Sequence, residues 1–176
     1  MTYASVVYYE TVHISLTISA LNDLQVKCGD VLNAYITAPV VELIWNTLGP
    51  EFGDDQGKTA ILVRALYSLK SSGSDFRKHL GECMSNIGYK PCLADPDLWL
   101  KPELREYVVE YYSYILCYVD DILVVHHDTR PSLDCIEHFM KFKEGYVGDP
   151  DIYLGAKLNK VQMFNDIWCC SLSTYK

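Results

Sequence analysis

The sequence is short of positive charge. Its 176 residues carry 15 Lys and Arg against 23 Asp and Glu, which gives a formal net charge of -8. Proteins that grip nucleic acid on their own usually present a basic surface, so this balance argues against strong autonomous binding to RNA or DNA. It does not exclude a catalytic core whose basic parts lie elsewhere in a longer polyprotein.

The sequence also lacks a CxxC motif, a recognisable signal peptide and a long apolar run. Its seven cysteines contain no CxxC pair, so free buried thiols are expected rather than a zinc site. The longest uncharged apolar run, Tyr111 to Val119, is too short to span a bilayer. No basic region follows Met1, so no secretory signal is recognised, and an intracellular protein without a membrane partner is expected.

The residues that are present indicate a globular α+β protein. Hydrophobic residues make up 49% of the chain and aromatic residues 12%, which suits a folded core. Helical spacing predicts helices over Glu10–Leu24, Ser71–Ile87 and Pro131–Lys143. Between them, β-rich runs predict an antiparallel sheet with the helices packed on one face, in a single domain over residues 1–176. The predicted strands include Val26–Asp30, Leu43–Asn46, Thr59–Arg64, Asp97–Leu100, Tyr107–Val119, Ile122–Val125, Ile152–Leu158 and Ile167–Ser171.

Carboxylates at strand ends are the sharpest local feature. Asp120 and Asp121 lie between two apolar runs, which predicts that the pair sits at a hairpin turn. Adjacent carboxylates raise each other's pKa unless a cation is present, and Mg²⁺ prefers such oxygen ligands. Asp30 follows another apolar strand. Aspartates that converge from distant strands can hold two Mg²⁺ ions, as in polymerases and nucleases.

These carboxylates alone do not decide a function. Asp favours turns, so an Asp-Asp pair is commonly a solvated turn, and Asp30 alone would commonly be a residue that ends a strand. The sequence motifs around these aspartates decide between a metal site and ordinary turn or strand-end residues.

Those surroundings resemble the reverse transcriptases of copia-type retrotransposons. Tyr118 to Asp121 resembles the YxDD box of that family, and Asp30 to Tyr35 resembles its first catalytic motif. The other matching segments, in the family's order, are Thr2–Val7, Gly49–Gly53, Arg64–Gly73, Ala94–Trp99 and Tyr153–Gly155. The resemblance covers nearly the whole chain and implies a palm-like sheet in which the fingers and thumb are incomplete.

The resemblance implies a catalytic and metal-binding set. Asp30 and Asp120 would be the principal ligands of two Mg²⁺ ions, for which Mn²⁺ can substitute, and Asp121 would support them. Val31 would offer its backbone oxygen to a metal. Tyr35 would act as a steric gate that favours deoxynucleotides, although without the family it reads equally as a half-buried tyrosine.

The resemblance also implies binding residues and partners. The expected partners are an RNA or DNA primer-template, deoxynucleoside triphosphates and the missing polyprotein segments, including fingers and RNase H, in a cytoplasmic virus-like particle or the nucleus. Nucleotide and template contacts would come from Val31, Tyr35, Lys70, Ser71, Gly73, Tyr118 and Val119, and the primer grip from Tyr153, Leu154 and Gly155.

Departures from the family pattern leave two functions open. Ser68 stands where the family has glycine, and Asp75 places an anion where it has an arginine. The first function is an RNA-directed DNA polymerase with two-metal nucleotidyl transfer. The second is a non-catalytic, degenerate retrotransposon remnant that keeps the fold and weak metal binding. A two-metal nuclease is disfavoured, because the sequence offers no extra acidic ligands.

Overall fold

The computed structural model describes residues 6–105, 109–150, 152–154, 156–162 and 168–174. The chain forms two compact units. The smaller unit is built on Asn33–Gly81, and the larger on Ser5–Leu32 together with Glu82–Lys176. The prediction of a single domain stays a prediction, and each unit is described by itself.

Helices and runs of successive strands are mixed along the chain, as expected for an α+β protein. The helices are α1 (Tyr9–Leu21), α2 (Ala34–Thr37), α3 (Ser72–Asn86) and α4 (Arg130–Phe139), with a 3-10 segment at Pro50–Asp55. The strands are β1 (Gln25–Asp30), β2 (Trp45–Thr47), β3 (Thr59–Ile61), β4 (Lys90–Pro91), β5 (Leu98–Arg105), β6 (Val109–Tyr118), β7 (Asp121–His126), β8 (Ile152–Tyr153), β9 (Ala156–Gln162) and β10 (Trp168–Thr174).

The larger unit is organised by a five-stranded antiparallel sheet in the order β1-β7-β6-β5-β4. Its central strands β6 and β7 are apolar on both faces, which explains their continuous hydrophobic runs in the sequence. A second sheet has the order β10-β9-β8. Together with the helices, this architecture confirms the mixed α+β class.

Helix α1 covers one face of the central sheet. Its Val12 and Leu16 belong to the same buried cluster as Leu116 of β6 and Leu123 and Val125 of β7. Burying each of these side chains contributes about 1.5–3 kcal/mol. This packing accounts for the position of α1 beside β1 and β7.

Helix α4 covers the opposite face. Side chains alternate along a strand, so Ser113 and Ile115 point away from α1. The Ser113 hydroxyl donates to the Tyr89 hydroxyl at 3.1 Å, which lies 3.0 Å from the hydroxyl of Ser132 in α4. Ile115 and Val124 are fully buried there. The prediction that the helices pack on one face is therefore wrong, because two-sided apolar strands need cover on both faces.

The end of α4 is also a correction. The predicted helix continued to Lys143, but α4 ends at Phe139 and Met140 has extended backbone angles, φ -143° and ψ 120°. Residues 141–148 instead lie along the free edge of β1, with bridges at Val31–Phe142 and Cys28–Gly148. We call residues 141–148 the strap. Pairing with a distant strand overrides local helical periodicity here.

Other predicted boundaries differ by a few residues. Helix α1 ends at Leu21 rather than Leu24, because Asp23 takes a left-handed φ of 50° that a helix does not continue through. Helix α3 ends at Asn86, and Gly88 with φ 91° provides the predicted stop. Tyr107 and Ile167, the predicted starts of two strands, lie outside the described residues.

The smaller unit contains a hairpin and the start of α3. Strands β2 and β3 pair antiparallel, with Trp45 opposite Ile61. Arg64 and Ala65 connect the segment after β3 to the end of α2. The Arg64 guanidinium donates to the Thr37 carbonyl at 2.8 Å, and the Ala65 N–H donates to the Ala38 carbonyl at 3.0 Å.

Candidate functional site

Asp30 and Asp121 stand directly opposite each other in the antiparallel pairing of β1 with β7. Partners in such a pair project to the same face of the sheet. The pairing continues one step further, because the Val31 backbone N–H donates to the Asp120 carbonyl at 2.9 Å. The structure therefore brings Asp30, Val31, Asp120 and Asp121 to one end of the sheet. It places Asp121, rather than Asp120, across from Asp30.

The turn that carries the acidic pair is strained. Val119 and Asp120 connect β6 to β7, as the sequence predicted for a hairpin. Val119 has a φ of 55°, a left-handed value that β-branched residues rarely adopt. Strain of this kind costs about 1–3 kcal/mol and persists where the surrounding structure fixes it. Here the β6–β7 pairing fixes the turn on one side and β1 on the other.

Lys143 makes two contacts to Asp30. Its ammonium Nζ lies 2.6 Å from Asp30 Oδ2, and its backbone N–H donates to the Asp30 carbonyl at 2.8 Å. The Asp30 side chain is 19% exposed and that of Lys143 36%, so the ion pair is partly shielded from solvent. The side-chain contact is therefore fixed in place by the backbone pairing of the strap.

The acidic groups perturb one another. Burial raises the pKa of the Asp121 carboxyl, and the charges of Asp120 and Asp30 raise it further, while Lys143 opposes them. The hydrogen bond to Asp30 raises the pKa of the Lys143 ammonium, with the charges of Asp120 and Asp121 adding to it. Like charges that face each other across a strand pair destabilise it, so this sheet end favours a cation.

One oxygen of this cluster suits a metal ligand. Asp30 Oδ1 is buried and has no hydrogen-bond partner among the described residues, while Oδ2 is paired with Lys143. A buried carboxylate oxygen without a partner is costly, and Mg²⁺ prefers such hard oxygen donors. The chemistry of the donors thus fits Mg²⁺. Over the described ranges, however, no three His, Cys, Asp or Glu side chains converge into a ready-made metal cluster.

Tyr35, Lys70, Ser71 and Gly73 belong to the smaller unit. The Tyr35 ring is half-buried and lies against Tyr67, with ring centroids 4.9 Å apart. Ser71 precedes α3, Gly73 lies in its first turn, and the exposed Lys70 precedes both. Their predicted contacts to nucleotide and template stay predictions.

The remaining predicted residues belong to the larger unit. Tyr118 ends β6 and is 36% exposed, next to Val119. Tyr153 is buried, and its hydroxyl donates to the Leu116 carbonyl at 3.3 Å. Leu154 forms the turn after β8 with φ 54°. Gly155 lies outside the described residues. The primer-grip role of these three stays a prediction.

The segment Ala94–Trp99 has a clear structural role. Asp95 is buried, and its carboxylate accepts the Asp97 N–H at 3.1 Å and the Tyr8 N–H at 2.9 Å. The Cys117 N–H donates to the Asp97 carbonyl at 3.0 Å. These bonds join the start of β5 to β6 and to the segment before α1. The match of this segment to the family thus has a physical basis in the fold.

Sequence reasoning missed Lys143 as a site residue. Helical periodicity placed it at the end of α4, whereas the strap places it on Asp30, 113 residues away in the chain. No local signal marks this contact, because it depends on pairing between distant segments.

Comparison with known proteins identifies the family. The profile of the reverse transcriptase (RNA-dependent DNA polymerase) family matches residues 1–173. The chain belongs to this family. Membership confirms the predicted resemblance, and the family generally uses divalent metal ions.

The related proteins are plant retrotransposon polyproteins. The chain is 24% identical over 165 residues to the Retrovirus-related Pol polyprotein from transposon RE2 of Arabidopsis thaliana, covering 91% of this chain and 11% of the relative. It is 25% identical over 129 residues to the corresponding RE1 polyprotein of the same plant, covering 72% and 8%. The reverse transcriptase domain thus spans about a tenth of the curated relatives it matches. No solved structure gives a significant match.

No helix among the described residues has the length and apolar character needed to cross a membrane.

Proposed function

We propose that this chain is the palm part of a copia-type RNA-directed DNA polymerase, with incomplete fingers and thumb, that acts by two-metal nucleotidyl transfer. The observation that carries the proposal is Asp30 opposite Asp121, with Asp120 bonded through its carbonyl to Val31. Asp30 and the Asp120–Asp121 pair come from two distant segments and lie at one end of the sheet, which supports a site of this chemistry. Family membership supports the same activity.

Asp30, Asp120 and Asp121 would hold Mg²⁺, or Mn²⁺ in its place, with the Val31 carbonyl as a further ligand. When bound, the metal activates the attacking hydroxyl and offsets charge on the leaving phosphates. The buried Asp30 Oδ1 is the oxygen best placed to act as a ligand, because nothing in the described chain uses it. The fixed register of β1 and β7 keeps the carboxylates in position.

The other family residues would bind and orient substrate. Tyr35 would exclude the 2′ hydroxyl of the incoming sugar, with its ring held by Tyr67. Lys70, Ser71, Gly73, Tyr118 and Val119 would contact nucleotide and template. Tyr153, Leu154 and Gly155 would support the primer end. The partners would be a primer-template, deoxynucleoside triphosphates and further segments of a polyprotein.

Primer extension by the purified chain tests the activity. We expect weak, Mg²⁺-dependent incorporation on an RNA template with a DNA primer, far below that of an intact relative, because the net charge of -8 weakens binding to phosphates. Asp120→Asn should remove it, whereas Asp128→Asn, on the exposed loop before α4, should not. Incorporation that survives Asp120→Asn would refute the assigned site.

A melting experiment tests the metal site independently of catalysis. Because the three carboxylates repel one another, millimolar Mg²⁺ should raise the melting temperature of the parent chain by binding the folded state. The same Asp120→Asn change should remove most of this increase, and Asp128→Asn should leave it intact. A melting temperature indifferent to Mg²⁺ in the parent would refute metal binding at this sheet end.

A non-catalytic remnant is the second candidate, and two observations favour it. Ser68, where the family has glycine, has a left-handed φ of 77°. Asp75, where the family has arginine, is buried in α3 with Oδ2 lacking a described partner. A parent chain that is stabilised by Mg²⁺ but extends no primer would establish this candidate instead.

A further inference from the structure

The strap determines where Lys143 lies. Leu32 donates its N–H to the Lys141 carbonyl at 2.8 Å, and Lys143 donates its N–H to the Asp30 carbonyl at 2.8 Å. Further along, Cys28 and Gly148 exchange both backbone bonds, at 2.9 and 3.1 Å. The backbone of Lys143 is therefore fixed on both sides, and its side chain starts beside the Asp30 carboxylate.

The ammonium of Lys143 uses one of the two Asp30 oxygens. Nζ lies 2.6 Å from Oδ2, whereas Oδ1 is buried and has no described partner. A divalent cation that bound Oδ1 would lie within a few ångströms of this ammonium. A divalent cation and an ammonium at that distance repel each other. The ion pair and a bound metal therefore compete for the same carboxylate.

The Lys143 side chain has an alternative position. A cavity of about 520 Å³ lies between α4 and the strap, and Lys143 is part of its lining. Its lining also includes the acidic residues Asp134, Glu137 and Glu144, together with the basic residues Lys27 and Arg130. A lysine released from Asp30 could place its ammonium near these acidic groups without moving the strap backbone.

We propose that Lys143 is a positioning residue that serves as the resident counter-cation of Asp30, and that a divalent cation binds by displacing the Lys143 ammonium from Asp30 towards the cavity. This inference rests on the proposed metal-binding function of Asp30, Asp120 and Asp121. Lys143 holds the carboxylate in place while no metal is bound. It thereby stabilises the metal-free fold and weakens metal binding.

The test compares Lys143→Met with Lys141→Met in the full chain. Methionine keeps an unbranched apolar stem and removes the charge, and the exposed Lys141 lies on the same strap with its backbone bond to Leu32 retained. Mn²⁺ affinity is measured by the loss of the free-ion electron paramagnetic resonance signal. The melting temperature is measured in a chelator.

We expect Lys143→Met to melt at a lower temperature without metal and to bind Mn²⁺ roughly tenfold more tightly, since about 1.4 kcal/mol of repulsion is removed. Lys143→Arg should restore the parent values, because it keeps the charge. Lys141→Met should match the parent in both measurements. If Lys143→Met fails to fold, Lys143→Gln provides the same comparison with a polar side chain.

Two results would overturn the inference, and they have different consequences for the proposed metal site. Equal or weaker Mn²⁺ binding by Lys143→Met, with binding by the parent, means that Lys143 only supports the fold, and the proposed metal site survives. Absence of Mn²⁺ binding in both folded proteins removes the proposed metal site together with the inference.

Discussion

Gly29 and the ring of Phe142 are packed so tightly that a Cβ on residue 29 would lie 2.7 Å from the Cδ1 and Cε1 atoms of the ring. Gly29 is buried one residue before Asp30, and Phe142 lies one residue before Lys143. This contact therefore fixes the distance between β1 and the strap at the point where Asp30 meets Lys143.

Gly29→Ala should lower the free energy of unfolding by about 1–3 kcal/mol, because the added methyl overpacks the contact with Phe142. Urea unfolding followed by tryptophan fluorescence measures the change. Gly148→Ala is the matched control on the strap, since a Cβ there meets no described atom within 4 Å. Equal stability of the two variants would contradict the packing argument.

Ser68→Gly should raise the free energy of unfolding by about 1 kcal/mol, because Ser68 has a φ of 77° that glycine adopts without a Cβ clash. Ser74→Gly should have the opposite effect. It lies inside α3, and its hydroxyl donates to the Ser71 carbonyl at 2.8 Å. Thermal melting of both variants checks the two signs, and a loss of stability in Ser68→Gly would show that its side chain has a role of its own.

Tyr89→Phe should destabilise the larger unit by about 1–2 kcal/mol, because it removes the hydroxyl that joins Ser113 to Ser132 and leaves both buried. Tyr112→Phe is the control, since Tyr112 is 52% exposed on β6. Chemical denaturation reports both values. If Tyr89→Phe leaves the free energy of unfolding unchanged, Ser113 and Ser132 form hydrogen bonds with other partners in the variant.

His126 should make stability depend on pH. Burial lowers its pKa, while Glu103 acts in the opposite direction, and Lys101, Tyr111 and His127 also face the ring. A histidine with a lowered pKa binds fewer protons when folded. The chain should therefore lose stability as the pH falls below the unfolded pKa of about 6.5 and through the lower folded value.

The test for His126 is unfolding of His126→Asn between about pH 8 and pH 5.5. Asparagine keeps an acceptor for the Asp128 N–H, which His126 Nδ1 now accepts at 2.8 Å, and it does not titrate. The stability of the variant should decline less steeply with falling pH than that of the parent, whereas His13→Asn, at an exposed position of α1, should follow the parent. Parallel declines in all three proteins would assign the pH dependence to other groups.

Local signals predicted the elements that depend on local contacts. The apolar spacing of α3 and the glycine at position 88 predicted its end to within one residue of Asn86. Two apolar runs around Asp120 predicted the β6–β7 hairpin. Propensity and turn chemistry act over a few residues, so a sequence displays them directly.

Features that depend on contacts between distant segments were harder to predict from the sequence. The pairing of Asp30 with Asp121 depends on strand register, and the contact of Lys143 with Asp30 depends on the strap replacing the last turn of α4. The packing of α1 and α4 on opposite faces follows from apolar residues on both sides of β6 and β7. Such features depend on which distant segments meet, which residue spacing alone does not encode.

The long separation between β1 and its partners has a consequence for synthesis on the ribosome. Asp30 and Lys143 are 113 residues apart, and the pairing strand β7 begins only at Asp121. Until β7 and the strap have been synthesised, both backbone edges of β1 remain unpaired. Unpaired strand edges promote aggregation. Translation that stops before residue 121 would therefore release a fragment with this edge exposed, so an early stop codon would yield a product that is prone to aggregate.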